Sequence, residues 1–88
     1  MKLIDLKKGE KGIIKYIDAN DALKQRLFSL GVINGAIVEM VFCSIGKSTI
    51  KIKVGNTLVA LRDSEAKLIE VDKIENNKSV DLIAEDSI

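Results

Sequence analysis

Apolar and polar residues alternate along Thr49-Ile50-Lys51-Ile52-Lys53-Val54. A period of two predicts a strand with Ile50, Ile52 and Val54 on one face and Thr49, Lys51 and Lys53 on the other. Gly55-Asn56 follows between two strand-like runs, which signals a tight hairpin, and Thr57 to Leu61 is the returning strand. Upstream, Gly12 to Ile17 is β-branched and aromatic and predicts the first full strand. Ala36 to Cys43 is an almost unbroken apolar run, expected to be a strand buried on nearly both sides with Glu39 the exception. Lys67 to Val71 predicts the last strand, after a single helical turn at Arg62 to Ala66.

Between the first two strands the period changes. Asp18-Ala19-Asn20-Asp21 is a polar break with helix-capping residues, and Leu23, Leu27 and Leu30 then fall at i, i+4 and i+7. That spacing predicts a short helix from Ala22 to Leu30 with one apolar face. Gly31 suits the left-handed position that ends a helix, and Asn34-Gly35 signals a turn. The pattern as a whole predicts a mainly β fold: a five-stranded, partly open barrel with one short helix between strands one and two. Closure answers the edge problem of so small a sheet. The core is aliphatic, and Tyr16, Phe28 and Phe42 are the only aromatic residues.

Charge divides the chain. Residues 1–74 carry 13 basic against 9 acidic residues, a balance of +4, and form the predicted domain. Residues 75–88 carry one lysine against four acids, a balance of −3, and are expected to be a mostly disordered acidic tail. The tail's functional reading is an acidic peptide that docks on a basic face. The overall balance of +1 argues against a generic binder of nucleic acid or membrane surface. No apolar run reaches the roughly 20 residues that cross a bilayer, and the opening residues do not form a signal peptide, so the expected location is the cytoplasm.

Composition narrows the chemistry further. There is no histidine and a single cysteine, Cys43, so neither a Cys–His or Ser–His pair nor a nitrogen-and-sulfur zinc site can be assembled. Cys43 ends an apolar strand and reads as a small buried hydrophobe. Lys8-Gly9-Glu10-Lys11-Gly12-Ile13 lacks the spacing of a phosphate-binding loop. No catalytic residue, metal ligand or cofactor site is predicted, and the expected class is a binding module rather than an enzyme.

Five residues are candidate partner contacts. Arg26 and Phe28 lie off the Leu23/Leu27/Leu30 stripe, and an exposed Phe or Arg is an effective interface anchor. Lys47, Lys51 and Lys53 could form a basic stripe on one sheet face, although exposed lysines also protect sheets from edge-to-edge aggregation. Single-stranded nucleic acid would call for aromatic platforms among these lysines, and none is interleaved.

The joint order of these pieces resembles the ferrous iron transport protein A (FeoA) family, from about Leu3 to Val71. Leu6, Gly9 and Gly12-Ile13-Ile14 are similar to its opening, and Leu23 to Gly31 to its helix running into Leu-Gly. Gly35-Ala36-Ile37-Val38, Gly46, Val59-Ala60-Leu61-Arg62 and Ala66 to Val71 are similar to its later strands and turns. Asn34 stands where the family often has proline, the loop around Gly46 has no proline, and the acidic tail has no counterpart in the pattern. The resemblance implies an SH3-like barrel and a role in bacterial ferrous iron uptake. Its implied partner is the membrane iron transporter with a cytoplasmic GTP-binding domain, without nucleic acid or direct membrane insertion. Pairing of copies through edge strands is compatible with such a barrel. Two other readings share the fold: the barrel module of a metal-dependent repressor, and a small ribosome- or RNA-associated barrel.

Overall fold

The computed structural model describes residues 1–75, and the predicted acidic tail lies outside the described residues from position 76 onward. The period-two segments become strands: β1 at Lys11–Ile17, β2 at Ile37–Cys43, β3 at Thr49–Val54, β4 at Thr57–Arg62 and β5 at Ile69–Ile74. They form one antiparallel sheet in the order β4-β3-β2-β1-β5. Helix α1, Asp21–Ser29, stands between β1 and β2, and the single-turn helix α2, Asp63–Ala66, joins β4 to β5.

The helix begins and ends where its local chemistry dictates. The Asn20 side chain accepts a hydrogen bond from the Leu23 N–H at 2.9 Å, satisfying one of the free donors of the first turn. At the other end Gly31 takes φ +89°, which an L side chain resists, and lets the Val32 N–H return to the Leu27 carbonyl. Val32 is thereby delivered into the core beside Leu27, and both are fully buried.

One face of the sheet curls around the core. Ile14, Ile17, Val38, Met40, Ile50, Ile52, Val59, Leu61, Ile69 and Val71 point inward, and Leu3, Leu6, Leu27 and Val32 close over them. Leu23 and Leu30 pack against this cluster from α1, as the helical spacing predicts. The core contains no aromatic side chain.

The structure corrects two expectations. β5 begins at Ile69 and extends to Ile74, because Lys67 and Leu68 complete the turn after α2. More consequentially, β2 is not buried on both sides: Ile37 and Phe42 are exposed. Val38 and Met40 face the core, so simple alternation would bury Phe42 as well. A bulge intervenes: Met40 pairs with Ile52, yet Phe42 pairs with Lys51. The extra residue, Val41, turns Phe42 outward and returns Cys43 toward the core, against which it packs partly buried.

β1 repeats the device. Ile14 pairs with Val71 and Tyr16 with Glu70, leaving Lys15 as the extra residue. Ile14 and Ile17 are both buried, while Tyr16 is turned to solvent. The two bulges therefore place both strand aromatics on the outside of the molecule.

Of the two sheet edges, β5 is partly covered. Lys2 bridges to Glu70, and the Val71 N–H donates to the Met1 carbonyl at 2.8 Å. β4 forms the opposite edge.

Candidate partner-binding surface

All three aromatic residues are exposed, at 57% for Tyr16, 48% for Phe28 and 46% for Phe42. Burying such a ring is worth roughly 2–3 kcal/mol. A small domain that leaves every aromatic ring outside its core has placed that surface where an interface could use it. The rings fall on two surfaces.

The first surface is the outer face of the sheet. Cross-strand register sets its rows. Leu58, Lys53, Glu39, Lys11 and Ile74 are successive partners across all five strands. Ala60, Lys51 and Phe42 are partners in the next row across β4, β3 and β2. Residues opposite one another share a face, so Lys51 and Lys53 lie among Phe42, Leu58 and Ala60. The Lys51 Nζ sits 5.7 Å from the Phe42 ring centroid, within cation–π range. Leu58 is 62% exposed and Ile37 54% exposed. Neither Lys51 nor Lys53 has a carboxylate within 4.0 Å among the described residues, and Glu39 stands between Lys53 and Lys11 without closing an ion pair to either. The face is thus a basic surface with one aromatic ring, Phe42, and aliphatic side chains set among the charges. It fits an apolar segment that carries carboxylates.

Arg26 adjoins this face at its β4 margin, where it lines an open groove with Thr49, Ala60, Leu61, Arg62 and Glu65. Its guanidinium donates to Glu65 Oε2 at 2.8 Å. The other oxygen of Glu65 accepts from the Arg62 N–H at 3.0 Å and so caps α2. Glu65 therefore holds the β4–α2 corner and the end of α1 together. Arg26 remains half exposed above that pair.

The second surface lies on the far side of α1. Phe28, Tyr16, Ile17, Ile33, Lys24 and Asn34 line a shallow groove of about 360 Å³. Arg26 and Phe28, paired in the sequence reading, consequently open onto different surfaces. The structure gathers Arg26, Lys51 and Lys53 around β3 and β4 and sets Phe28 apart. Lys47 belongs to the turn Ile45–Lys47 between β2 and β3, and its side chain lies outside what is described.

Sequence reasoning missed Phe42, Leu58 and Tyr16 as surface residues. The alternation of β4 carried a usable signal for Leu58, since Val59 and Leu61 are its buried phase. Nothing in the sequence marks the bulges that expose the two rings.

Among the described residues no group of three or more His, Cys, Asp or Glu side chains could hold a metal ion. No buried side-chain polar atom among them lacks a partner. No helix among them is long and apolar enough to cross a membrane.

Comparison with known proteins gives the family. The FeoA domain profile matches residues 1–73. A Campylobacter jejuni protein assigned as Fe(2+) transport protein A is 39% identical over 74 residues, covering 84% of this chain and 100% of that protein. An FeoA–FeoB fusion protein of Porphyromonas gingivalis, joining Fe(2+) transport protein A to an Fe(2+) transporter, is 25% identical over 88% of this chain and 9% of its own length. Among solved structures, the zinc-complexed FeoA of Stenotrophomonas maltophilia, described as a procaryotic SH3 domain protein, superposes with a TM-score of 0.72 at 37% identity, covering 82% of this chain and 89% of that one. The five-stranded antiparallel architecture is accordingly SH3-like, and the chain belongs to the FeoA family, whose members take part in Fe(2+) transport.

Proposed function

We propose that this protein is a cytoplasmic, non-catalytic accessory module of ferrous iron uptake that docks on the membrane Fe(2+) transporter through the outer face of its sheet. The observation that carries the reading is the fusion relative, in which an FeoA region and an FeoB transporter share one polypeptide. Covalent linkage raises the effective concentration of two binding modules for one another. Such a fusion is therefore what a weak functional contact between separate chains would favour.

The outer face supplies the surface chemistry. Phe42 and Leu58 offer apolar anchors, Lys51 and Lys53 offer cations with no carboxylate within 4.0 Å among the described residues, and Arg26 extends the basic margin. A segment of the transporter that is apolar with interspersed carboxylates is complementary to it. Lys47 belongs to the same proposed contact by its place between β2 and β3. Ferrous iron is cargo of the transporter in this reading and is not held by the accessory chain.

The test is co-purification with the tagged full-length chain from gently solubilised cells, with partners identified by mass spectrometry. Recovery of the Fe(2+) transporter, reduced when Lys51 and Lys53 are both changed to glutamate, supports the proposal. Recovery of ribosomal or DNA-bound proteins that are lost on raising salt would overturn it, because such loss marks binding to nucleic acid.

A further inference from the structure

We propose that two copies of this chain pair edge to edge through β4, joining their sheets about a two-fold axis. The pairing goes beyond the docking reading above and does not depend on it.

β4 lacks the features that keep a strand edge from pairing. From Thr57 to Leu61 it carries no charge and no proline, and its register with β3 runs without a bulge. Leu58 and Ala60 are exposed there. The other edge is guarded. β5 bears Glu70, Asp72 and Lys73, and Met1 and Lys2 lie along it.

The free hydrogen-bonding groups of β4 follow from its hairpin. Val54 and Thr57 flank the two-residue turn Gly55-Asn56 and are direct partners, so they exchange backbone bonds. Bonding alternates along an antiparallel ladder, so Val59 and Leu61 also bond to β3. Leu58, Ala60 and Arg62 therefore turn their N–H and C=O groups to the edge. Two contacts agree with this phase. The Asp63 N–H donates to the Ser48 carbonyl at 3.1 Å, on the β3 side. The Arg62 N–H donates away from β3, to Glu65 Oε1 at 3.0 Å. No other group among the described residues bonds the backbone of Leu58 or Ala60.

These groups are self-complementary. An antiparallel second copy can set Leu58 opposite Ala60 of that copy, with Val59 opposite Val59 at the axis. Each Leu58–Ala60 pair then exchanges both of its backbone bonds, and the axis makes two such pairs. The large Leu58 side chain lies across from a small one, and no like charges stand opposite each other. Centring on Ala60 would set Leu58 against Arg62, whose N–H is already taken by Glu65. Centring on Leu58 would set Ala60 against Asn56, which lies in the turn. In the preferred register the uncharged turn of the second copy reaches the open groove lined by Arg26, Leu61, Arg62 and Glu65.

The axis stands perpendicular to the sheet, so Phe42, Lys51 and Lys53 of both copies lie on one side of the dimer. Thr57 to Leu61 from each copy make a contact below the size of a stable interface, so the dimer should form and dissociate between about 10 µM and 1 mM.

The test is sedimentation velocity and amide-resolved NMR of the full-length chain across that concentration range. The expected result is a reversible dimer. The Leu58 and Ala60 amides should shift with concentration and become protected from exchange, while the Val59 amide is protected throughout. Ala60→Pro removes an N–H that faces the free edge and none that bonds to β3, so it should keep the fold and abolish the dimer. L58E and A60K form a second test that keeps every backbone donor. Each alone should weaken self-association several-fold, because it sets like charges diagonally across the axis. Their equimolar mixture should associate as a heterodimer, with opposite charges directly paired. A chain that stays monomeric throughout the range, a dimer that survives Ala60→Pro, or a mixture no more associated than L58E or A60K alone would overturn the proposal. Concentration-dependent shifts confined to β5 or to the groove of Tyr16 and Phe28 would overturn it too. Edge amides that respond only to the solubilised transporter would assign β4 to that partner and overturn the pairing of copies.

Discussion

Lys51 and Phe42 are cross-strand partners, with the lysine Nζ 5.7 Å from the ring centroid, because Val41 is an extra residue in β2. Without that bulge the ring would point into the core. The same residue count that disrupts the ladder creates the apolar centre of the outer face.

The first prediction concerns that ring. Phe42→Ala removes a side chain that is nearly half exposed, so the thermal midpoint should fall by only a few degrees, for a loss of about 1 kcal/mol or less. Transporter binding should weaken about ten-fold or more, as for an interface anchor. Thermal denaturation with a parallel binding titration checks both. A large fall in midpoint would mean that the ring stabilises the fold itself.

Arg26 has a measurable structural role. Its ion pair with Glu65 links α1 to the β4–α2 corner, but the guanidinium is half exposed. Pairs at such exposure contribute about 0.5 kcal/mol, so Arg26→Ala should lower the midpoint by roughly 2–4 °C. Glu65→Ala should cost more, since it also removes the acceptor for the Arg62 N–H.

Gly12 is constrained by space. A Cβ there would meet the Asp72 carbonyl oxygen at 3.2 Å and the Val71 side chain at 3.2 Å. Gly12→Ala must separate β1 from β5 or displace Val71, which should cost about 1–3 kcal/mol. The midpoint should drop by roughly 5–20 °C. Gly9→Ala is the useful contrast, because open space surrounds that Cβ position and only its φ of +88° opposes the change.

Acid sensitivity follows from Glu10 and Lys73, which pair at 2.7 Å. The Lys73 ammonium, aided by the Lys7 N–H, holds the Glu10 carboxyl below its ordinary value. Glu10 in turn raises the Lys73 ammonium. A depressed carboxyl stabilises the fold above the unfolded carboxylate range, near pH 4.3, and loses that contribution as pH falls through the folded value. The raised ammonium contributes below about pH 10.4 and loses its share as pH rises through its folded value. Glu10→Gln should therefore lower the midpoint at neutral pH, and the gap from the parent protein should close on acidification below pH 4. A gap that persists unchanged at low pH would place the effect elsewhere.

Much of this architecture was legible in the sequence. The alternation of Thr49–Val54 gave β3 and its two faces, and the Leu23/Leu27/Leu30 spacing gave the packed side of α1. Hairpin, helix cap and helix stop are local chemistry, carried by Gly55-Asn56, Asn20 and Gly31. β2 resisted because an unbroken apolar run does not distinguish a strand buried on both sides from one that exposes rings. A bulge is a relation between two strands, and one strand's sequence does not reveal it. For the same reason the surface was only half legible. Lys51 and Lys53 were evident from alternation, whereas Phe42, opposite Lys51 on the neighbouring strand, depended on Val41. Residues 75–88 form the predicted tail, and from position 76 they lie outside the described residues.

The central claim is that the outer face of the sheet is the docking surface. The most direct measurement is a titration of the solubilised Fe(2+) transporter with the full-length protein, its K51E/K53E variant, its F42A variant and its F28A variant. The account predicts that K51E/K53E and F42A each weaken binding about ten-fold or more, while F28A, across α1 in the other groove, leaves it unchanged. Binding that survives both changes on the face and is lost with F28A would contradict the claim and assign the interface to the groove of Tyr16, Phe28 and Ile33.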